Sequence, residues 1–392
     1  MEQPPHSDFL QRARADLESL EARSQLRSLE VVPGINFYSN DYLGLSTDGR
    51  LREAVTAALA GGSPVGATGS RLLSGHAAAW EELESGFAEF AGTEAALYFN
   101  SGYAANTGLF GCVLKPDDVI FSDSANHASI IDGMRLSGAR KVIFPHLDLN
   151  VLESELRLAA PARGQKFIAV ESIFSMDGDR APIAELLDLA ERYGAEVIVD
   201  EAHATGVLGP HGCGAVAAAG AARRVLAVVH TCGKALASTG AFVACSDVLK
   251  QYLVNHARPF IFSTAQPPYI AAQVRAAIGI VATADSERSR LLQIAVHLRA
   301  RLRDNGFDTA RSDSQIVPVM VGDNEAALAL AARLRKDGFA VRAIRPPTVA
   351  PGTARLRLSL TAKHTIEIVD RLTDSLVRAR DQIGLARCSQ AG

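Results

Sequence analysis

Short apolar runs alternate with helix-spaced segments along most of the chain, and the pattern changes near both ends. Residues 8–30 carry Phe9, Leu10, Leu17 and Leu20 at helical spacing, which predicts a helical arm rather than a domain. A second helix is predicted around 51–59. A glycine-rich loop, GGSPVGATGSRLLSGH (61–76), follows and feeds a helix over 77–91. Seven β-rich runs come next: AALYF (95–99), DVIFSD (118–123), KVIFP (141–145), KFIAVES (166–172), AEVIVD (195–200), VLAVVH (225–230) and AFVACS (241–246). Most are continuously apolar, as strands covered on both faces of a mainly parallel sheet must be. Helical segments between them, such as PIAELLDLAERYG (182–194), make this region α/β.

Beyond about residue 275 the order of elements differs. One long helix over 276–305 is expected, then a strand in IVPVMVG, a helix in NEAALALAARLRKDG, a strand centred on Val341, the strand ARLRLSL (354–360) and a closing helix. The expected division is an N-terminal arm (1–45), a large domain (46–275) with a mainly parallel sheet and helices on both faces, and a smaller C-terminal α+β domain (276–392).

Composition narrows the function classes. A net charge of −3 over 392 residues gives no global attraction to nucleic acid or anionic membrane. The first residues are polar without an apolar core, and no uninterrupted apolar run reaches membrane-span length. The five cysteines (Cys112, Cys213, Cys232, Cys245, Cys388) form no C-x-x-C pair, so neither a metal site nor a disulfide framework is expected. A reduced, cytoplasmic setting is the expectation.

The candidate chemistry lies where strands end. In open α/β sheets ligands bind beyond the carboxyl ends of strands. AEVIVD ends on Asp200, with His203 three residues on; on this motif alone a helix cap and a polar turn are equally good readings. VLAVVH runs into TCGKALASTGAF (231–242), placing Lys234 at the same edge among small residues that would let a ligand approach its stem. A phosphate-binding P-loop fails there on spacing, because it needs glycine where Val228 stands and Ser or Thr where Ala235 stands. FNSGYAANTGLFG (99–111) opens a helix whose first N–H groups form a weak anion cup. His127 follows another strand; alone, it reads as a cap or a satisfied core histidine. Lysine, carboxylate, phosphate cup and stacking histidine together make the donor set of pyridoxal 5′-phosphate (PLP).

The runs SNDYLGL (39–45), GSRLLSGH (69–76), SGYAAN (101–106), SDSANHASI (122–130), SIFSMDGD (172–179), VDEAHATGVLG (199–209), TCGK (231–234) and FSTAQPP (262–268) occur in an order that resembles the α-oxoamine synthases of PLP fold type I, from about residue 36 onward. The stretch AIRPPTVAPGTARLRLSLTAKH (343–364), with IVPVMVGDN (316–324), resembles the branch that serves biotin biosynthesis. The resemblance implies an acyltransferase joining L-alanine to a pimeloyl thioester, on coenzyme A or acyl carrier protein, with release of carbon dioxide and free thiol. It assigns Lys234 as the lysine that carries PLP and later moves the α-proton, and Asp200 as the partner of the pyridine nitrogen. His203 and Ser175 are assigned to the ring oxygen and His127 to the ring face. Gly102, Tyr103 and Thr231 are assigned to the phosphate, with Ser263 and Thr264 reaching the phosphate of a neighbouring subunit, which implies a homodimer with shared sites. Asn40 and Arg357 are assigned to the substrate carboxylate, and Thr348 and Arg27 to the acyl substrate.

Alternation in ARLRLSL puts Arg355 and Arg357 on one face and the leucines on a core, so on the pattern alone both arginines read as solvated. Two departures from the family pattern stand out: a short stretch from 29 to 36, and Ala235 and Ala237 where the loop around the lysine usually carries glycine. Rival readings are another α-oxoamine synthase such as glycine C-acetyltransferase, an aminotransferase or lyase on the same fold, and a binding protein on a decayed scaffold.

Overall fold

The computed structural model describes residues 7–160 and 163–386. Cys388 and the outermost residues of the expected arm and C-terminal domain lie outside them. A short strand β1 (Ile35–Asn36) precedes a seven-stranded sheet made of β2 (Ala95–Phe99), β3 (Val119–Asp123), β4 (Arg140–Phe144), β5 (Lys166–Glu171), β6 (Ala195–Asp200), β7 (Ala227–Thr231) and β8 (Ala241–Cys245). The strand order is β2-β8-β7-β6-β5-β3-β4, all parallel except β8, which runs against both β2 and β7. All seven sequence-predicted runs form strands of this sheet, with ends displaced by up to two residues.

Their continuous apolarity has the anticipated cause. Successive side chains leave opposite faces of a strand. Ile120, Phe167, Ala169, Ile198 and Val229 enter one buried cluster, while Phe121, Ile168, Val170, Val199 and Val228 enter another. Each cluster is closed by helices: Gly102–Val113 and Ala128–Ser137 over the first, Leu149–Leu158 and Ile183–Tyr193 over the second.

The second sheet has three antiparallel strands, with β12 (Ala354–Ser359) between β9 (Ile316–Gly322) and β11 (Ala343–Ile344). A short β10 (Phe339–Ala340) pairs instead with β1, in parallel register Ile35↔Phe339. Thus the segment expected as an arm supplies a strand to the C-terminal region, and Phe37, Tyr42, Leu43 and Leu45 join the largest core cluster.

Three expectations are corrected. The helix in the 8–30 stretch spans only Ser7–Ala22. The single helix over 276–305 is two, Tyr269–Ala282 and Asp285–Asp304. At the break Thr283 and Ala284 turn back onto Ile280 and Val281, and the buried Arg288 guanidinium donates to the Val281 carbonyl at 2.5 Å. That carbonyl accepts from Arg288 and from the Ala284 N–H of a tightened last turn, not from the residue four on that would continue the helix. The strand centred on Val341 is two short ones, β10 and β11, flanking Val341 and Arg342. Among the described residues no helix is long and apolar enough to cross a membrane.

Candidate active site

The carboxyl ends of β3, β5, β6 and β7 converge on one edge of the large sheet. β6 ends on Asp200, whose carboxylate is 6% exposed and fully engaged. Its Oδ2 accepts from Asn106 Nδ2 at 2.7 Å and its Oδ1 from the Ala202 N–H at 2.8 Å. Asn106 lies on the helix that begins at Gly102, and its amide also donates to Ser129 Oγ at 2.9 Å. Ser129 Oγ therefore has its own proton free for His127 Nδ1, 2.8 Å away. That makes His127 an acceptor at Nδ1, the tautomer with its proton on Nε2. Burial, then the nearby Lys234 charge, lower the His127 pKa against the pull of Asp200, which agrees with a neutral ring. His127 itself is exposed.

A second chain of contacts starts at Lys234, in the loop after β7. Lys234 Nζ lies 2.7 Å from His203 Nε2, and His203 Nδ1 lies 2.5 Å from Tyr42 Oη. Tyr42 Oη donates to Asn40 Oδ1 at 3.1 Å, so it must accept from His203 Nδ1–H. His203 is then a neutral ring whose Nε2 accepts from the lysine. Complete burial and the charges of Lys234 and Arg357 hold its pKa well below the usual histidine value. Asn40 Oδ1 also accepts from both Nη atoms of Arg357 at 3.1 Å, and Arg357 Nε donates to the Ser175 carbonyl at 2.5 Å. Lys234, in the loop after β7, and Arg357, mid-strand in the small sheet, are thereby joined through side chains alone.

Burial lowers the Lys234 pKa to about 8, against the raising effect of Asp200 and Glu171. A lysine amine in that range has far more of its neutral form near physiological pH than an ordinary lysine, and the neutral form is a nucleophile and a base. Beside it, Ala237 adopts φ +43°, a conformation that suits the glycine usually found there and costs an alanine about 1 kcal/mol.

The anion cup forms where β2 turns into the helix Gly102–Val113. Ser101 caps that helix by accepting from the Ala104 N–H at 3.1 Å, and the N–H groups of Gly102 and Tyr103 have no intrahelical acceptor. A Cβ on Gly102 would sit 2.5 Å from Thr231 Oγ1, so only glycine lets this turn approach the end of β7. Tyr103 Oη donates to Asp132. Thr264 is held by its carbonyl, which accepts from Asn100 Nδ2 at 2.7 Å, and Ser263 precedes it on the same loop.

The loop after β5 carries Ser175 and is clamped from three sides. His146 bridges Asp123 and Asp179 at 2.8 Å each, Arg355 pairs with Asp177, and Gly178 at φ +70° lies where a Cβ would meet the Ile316 carbonyl at 2.0 Å. Here the exposed-face reading of Arg355 and Arg357 fails. They are 6% and 7% exposed, because the face of β12 that carries them is covered by this loop and by Asn40. Arg27 and Thr348 are brought together across 321 positions, with Arg27 Nη2 donating to Thr348 Oγ1 at 2.8 Å. Sequence reasoning assigned nothing to Asn106, Tyr42, Ser129 or Glu171. Asn106 had a readable signal, a lone amide four residues into an otherwise apolar helix.

The class I and II aminotransferase family matches residues 32–376. An 8-amino-7-oxononanoate synthase of Anaeromyxobacter sp. (strain K) is 44% identical, covering 96% of this chain and 98% of its own length. That of Geobacter sulfurreducens is 43% identical, covering 94% and 98%. Among solved structures, serine palmitoyltransferase from S. paucimobilis with bound PLP superposes with a TM-score of 0.88 at 30% identity, covering 97% of this chain and 100% of that one. An 8-amino-7-oxononanoate synthase from Francisella tularensis superposes at 0.77 with 27% identity, covering 90% and 99%. On sequence and fold together, the chain belongs to the class I and II aminotransferase family and, within it, to the 8-amino-7-oxononanoate synthases.

Proposed function

We propose that this protein joins L-alanine to a pimeloyl thioester, giving 8-amino-7-oxononanoate, carbon dioxide and the free thiol, with PLP as its cofactor. The observation that carries the reading is the side-chain path from Lys234 through His203, Tyr42 and Asn40 to Arg357, which sets an amine of lowered pKa in line with a buried guanidinium. The residues fit PLP. The close approach of Gly102 to Thr231 sets the first N–H groups of the helix where a phosphate would sit, and Asp200 accepts from two donors where a pyridine nitrogen requires a carboxylate.

When bound, PLP supplies an electron sink for the α-carbon of the amino acid. Lys234 would bear the cofactor, and its Nζ would take the α-proton. His203 orients that amine through Nε2 and, with Ser175, would hold the cofactor ring oxygen. His127 would cover the ring. Gly102, Tyr103 and Thr231 hold the phosphate, joined by Ser263 and Thr264 of a second copy in a homodimer. Arg357, aligned by Asn40 and the Ser175 carbonyl, binds the carboxylate of the amino acid, and the Arg27–Thr348 pair meets the acyl chain. A planar guanidinium suits a carboxylate because it donates two parallel bonds.

The test is thiol release from pimeloyl-CoA with L-alanine, beside acetyl-CoA with glycine and a control without amino acid. Alanine-dependent release from pimeloyl-CoA is expected. Release only from acetyl-CoA with glycine would sink the substrate assignment and keep the chemistry, while silence from PLP-loaded protein would point to a carrier-protein donor.

A further inference from the structure

One carboxyl at the sheet edge has no part in the chemistry described above. β5 ends on Glu171 and β6 on Asp200, and the parallel register sets these two residues side by side. Residues paired in this way project from the same face of a sheet, so the two carboxyls are neighbours. Their surroundings differ. Asp200 spends both oxygens on donors, whereas Glu171 is 2% exposed and its Oε1 has no hydrogen-bond partner.

An ionised Glu171 would be costly twice over, as a buried anion with a bare oxygen and as a like charge beside Asp200. Burial, followed by the Asp200 charge, drives its pKa up to about 8. Four groups from the neighbouring elements face it: Asp200 from β6, Lys234 from the loop after β7, Asp123 at the end of β3 and the backbone N–H of His127. Lys234 and the His127 N–H favour the anion; Asp200 and Asp123 oppose it, and Asp123 is already committed to His146.

We propose that Glu171 is the proton-holding member of a Glu171–Asp200 pair, kept as a neutral carboxylic acid so that the pair's single negative charge rests on Asp200. Glu171 is a positioning residue: it acts through Asp200, by leaving that carboxylate as the one anion of the pair. Two adjacent ionised carboxylates would raise the Lys234 pKa, since both already act on it in that direction, and would leave less of the neutral amine. The role in catalysis rests on the PLP reading; the protonation state does not.

The experiment is infrared spectroscopy of the PLP-loaded protein from pH 6 to 10, without substrate, on the wild type and Glu171→Gln. A protonated-carboxyl band is expected in the wild type at pH 6–7, missing from Glu171→Gln and fading as pH passes about 8. Steady-state rates add the second readout. Glu171→Gln, neutral and of the same shape, should exceed Glu171→Ala by about ten-fold in kcat, the effect of a lost buried polar contact. It should also lose the part of the alkaline decline that the wild-type band follows. No band that the glutamine variant removes, or equal rates in the two variants, would overturn the proposal. If thiol release fails while the band is present, the substrate assignment falls and the pair stands.

Discussion

The edge of the large sheet and the inner face of the small one both present charged groups to the site, by opposite constructions. At the large sheet the candidate side chains sit at strand ends or in the turns just past them, where chain topology delivers Asp200, His203 and Lys234 to one edge whatever lies opposite. On the small sheet Arg355 and Arg357 lie within β12, and strand periodicity alone gives them to solvent. Their burial comes entirely from what covers that face: the loop carrying Ser175 and Asp177, and Asn40 from the N-terminal segment. A strand-end residue can be read locally, whereas a mid-strand charge can be read only from its cover.

The sharpest way to break this comparison is at its two ends. Lys234→Ala is expected to abolish colour after PLP reconstitution and to cut alanine-dependent thiol release by about 10⁴-fold, the scale of a lost covalent and base group. Absorbance and thiol release check it. Arg357→Lys keeps the charge but loses the planar fork held by Asn40 and Ser175. It is expected to lower kcat/KM for L-alanine by about 10²-fold with PLP still bound. A retained kcat/KM would remove Arg357 from substrate binding.

Its neighbour should behave differently. Arg355→Ala leaves the Asp177 carboxylate without its partner, and a loss of about 2 kcal/mol in unfolding free energy is expected, discounted because Asp177 is partly exposed. KM for L-alanine should barely move. Denaturant melts beside kinetics separate the two arginines, and a KM shift as large as that of Arg357→Lys would erase the distinction.

Two pH experiments probe smaller effects. Cofactor-free protein should recapture PLP about ten-fold faster at pH 9 than at pH 7, because a Lys234 pKa lowered to about 8 makes neutral amine available above that point rather than above the usual lysine value. A rate that climbs only above pH 10 would contradict it. His146 works in the other sense. Burial opposes its charge, but Asp123 and Asp179 outweigh burial and raise its pKa to about 10. Its stabilisation is full below the ordinary histidine pKa and is lost as pH rises toward 10. Wild-type protein should therefore lose about 1–2 kcal/mol more than His146→Gln between pH 6 and 10, read from denaturant melts.

Much of the fold was legible because local rules and global packing agree in the large sheet. Apolar runs of strand length, separated by helix-spaced segments, admit few arrangements other than a covered parallel sheet. The break at Thr283 and Ala284 was not legible, since it depends on Arg288 reaching back to the Val281 carbonyl. Nor was the partnership of β1 with β10, which joins residues some 300 positions apart.

The sequence by itself determined which residue types stand at strand ends, the order of the motifs and hence the family and the set of candidate groups. Only the tertiary structure decided which of them touch. Tyr42 and Asn40 become the link between His203 and Arg357, and Asn106 the clamp on Asp200, because those contacts join segments from 94 to 317 positions apart. Likewise Glu171 and Asp200 become a pair only through the register of two strands. Hydrogen bonds and charge coupling act over a few ångströms of space, and a linear pattern records distance along the chain instead.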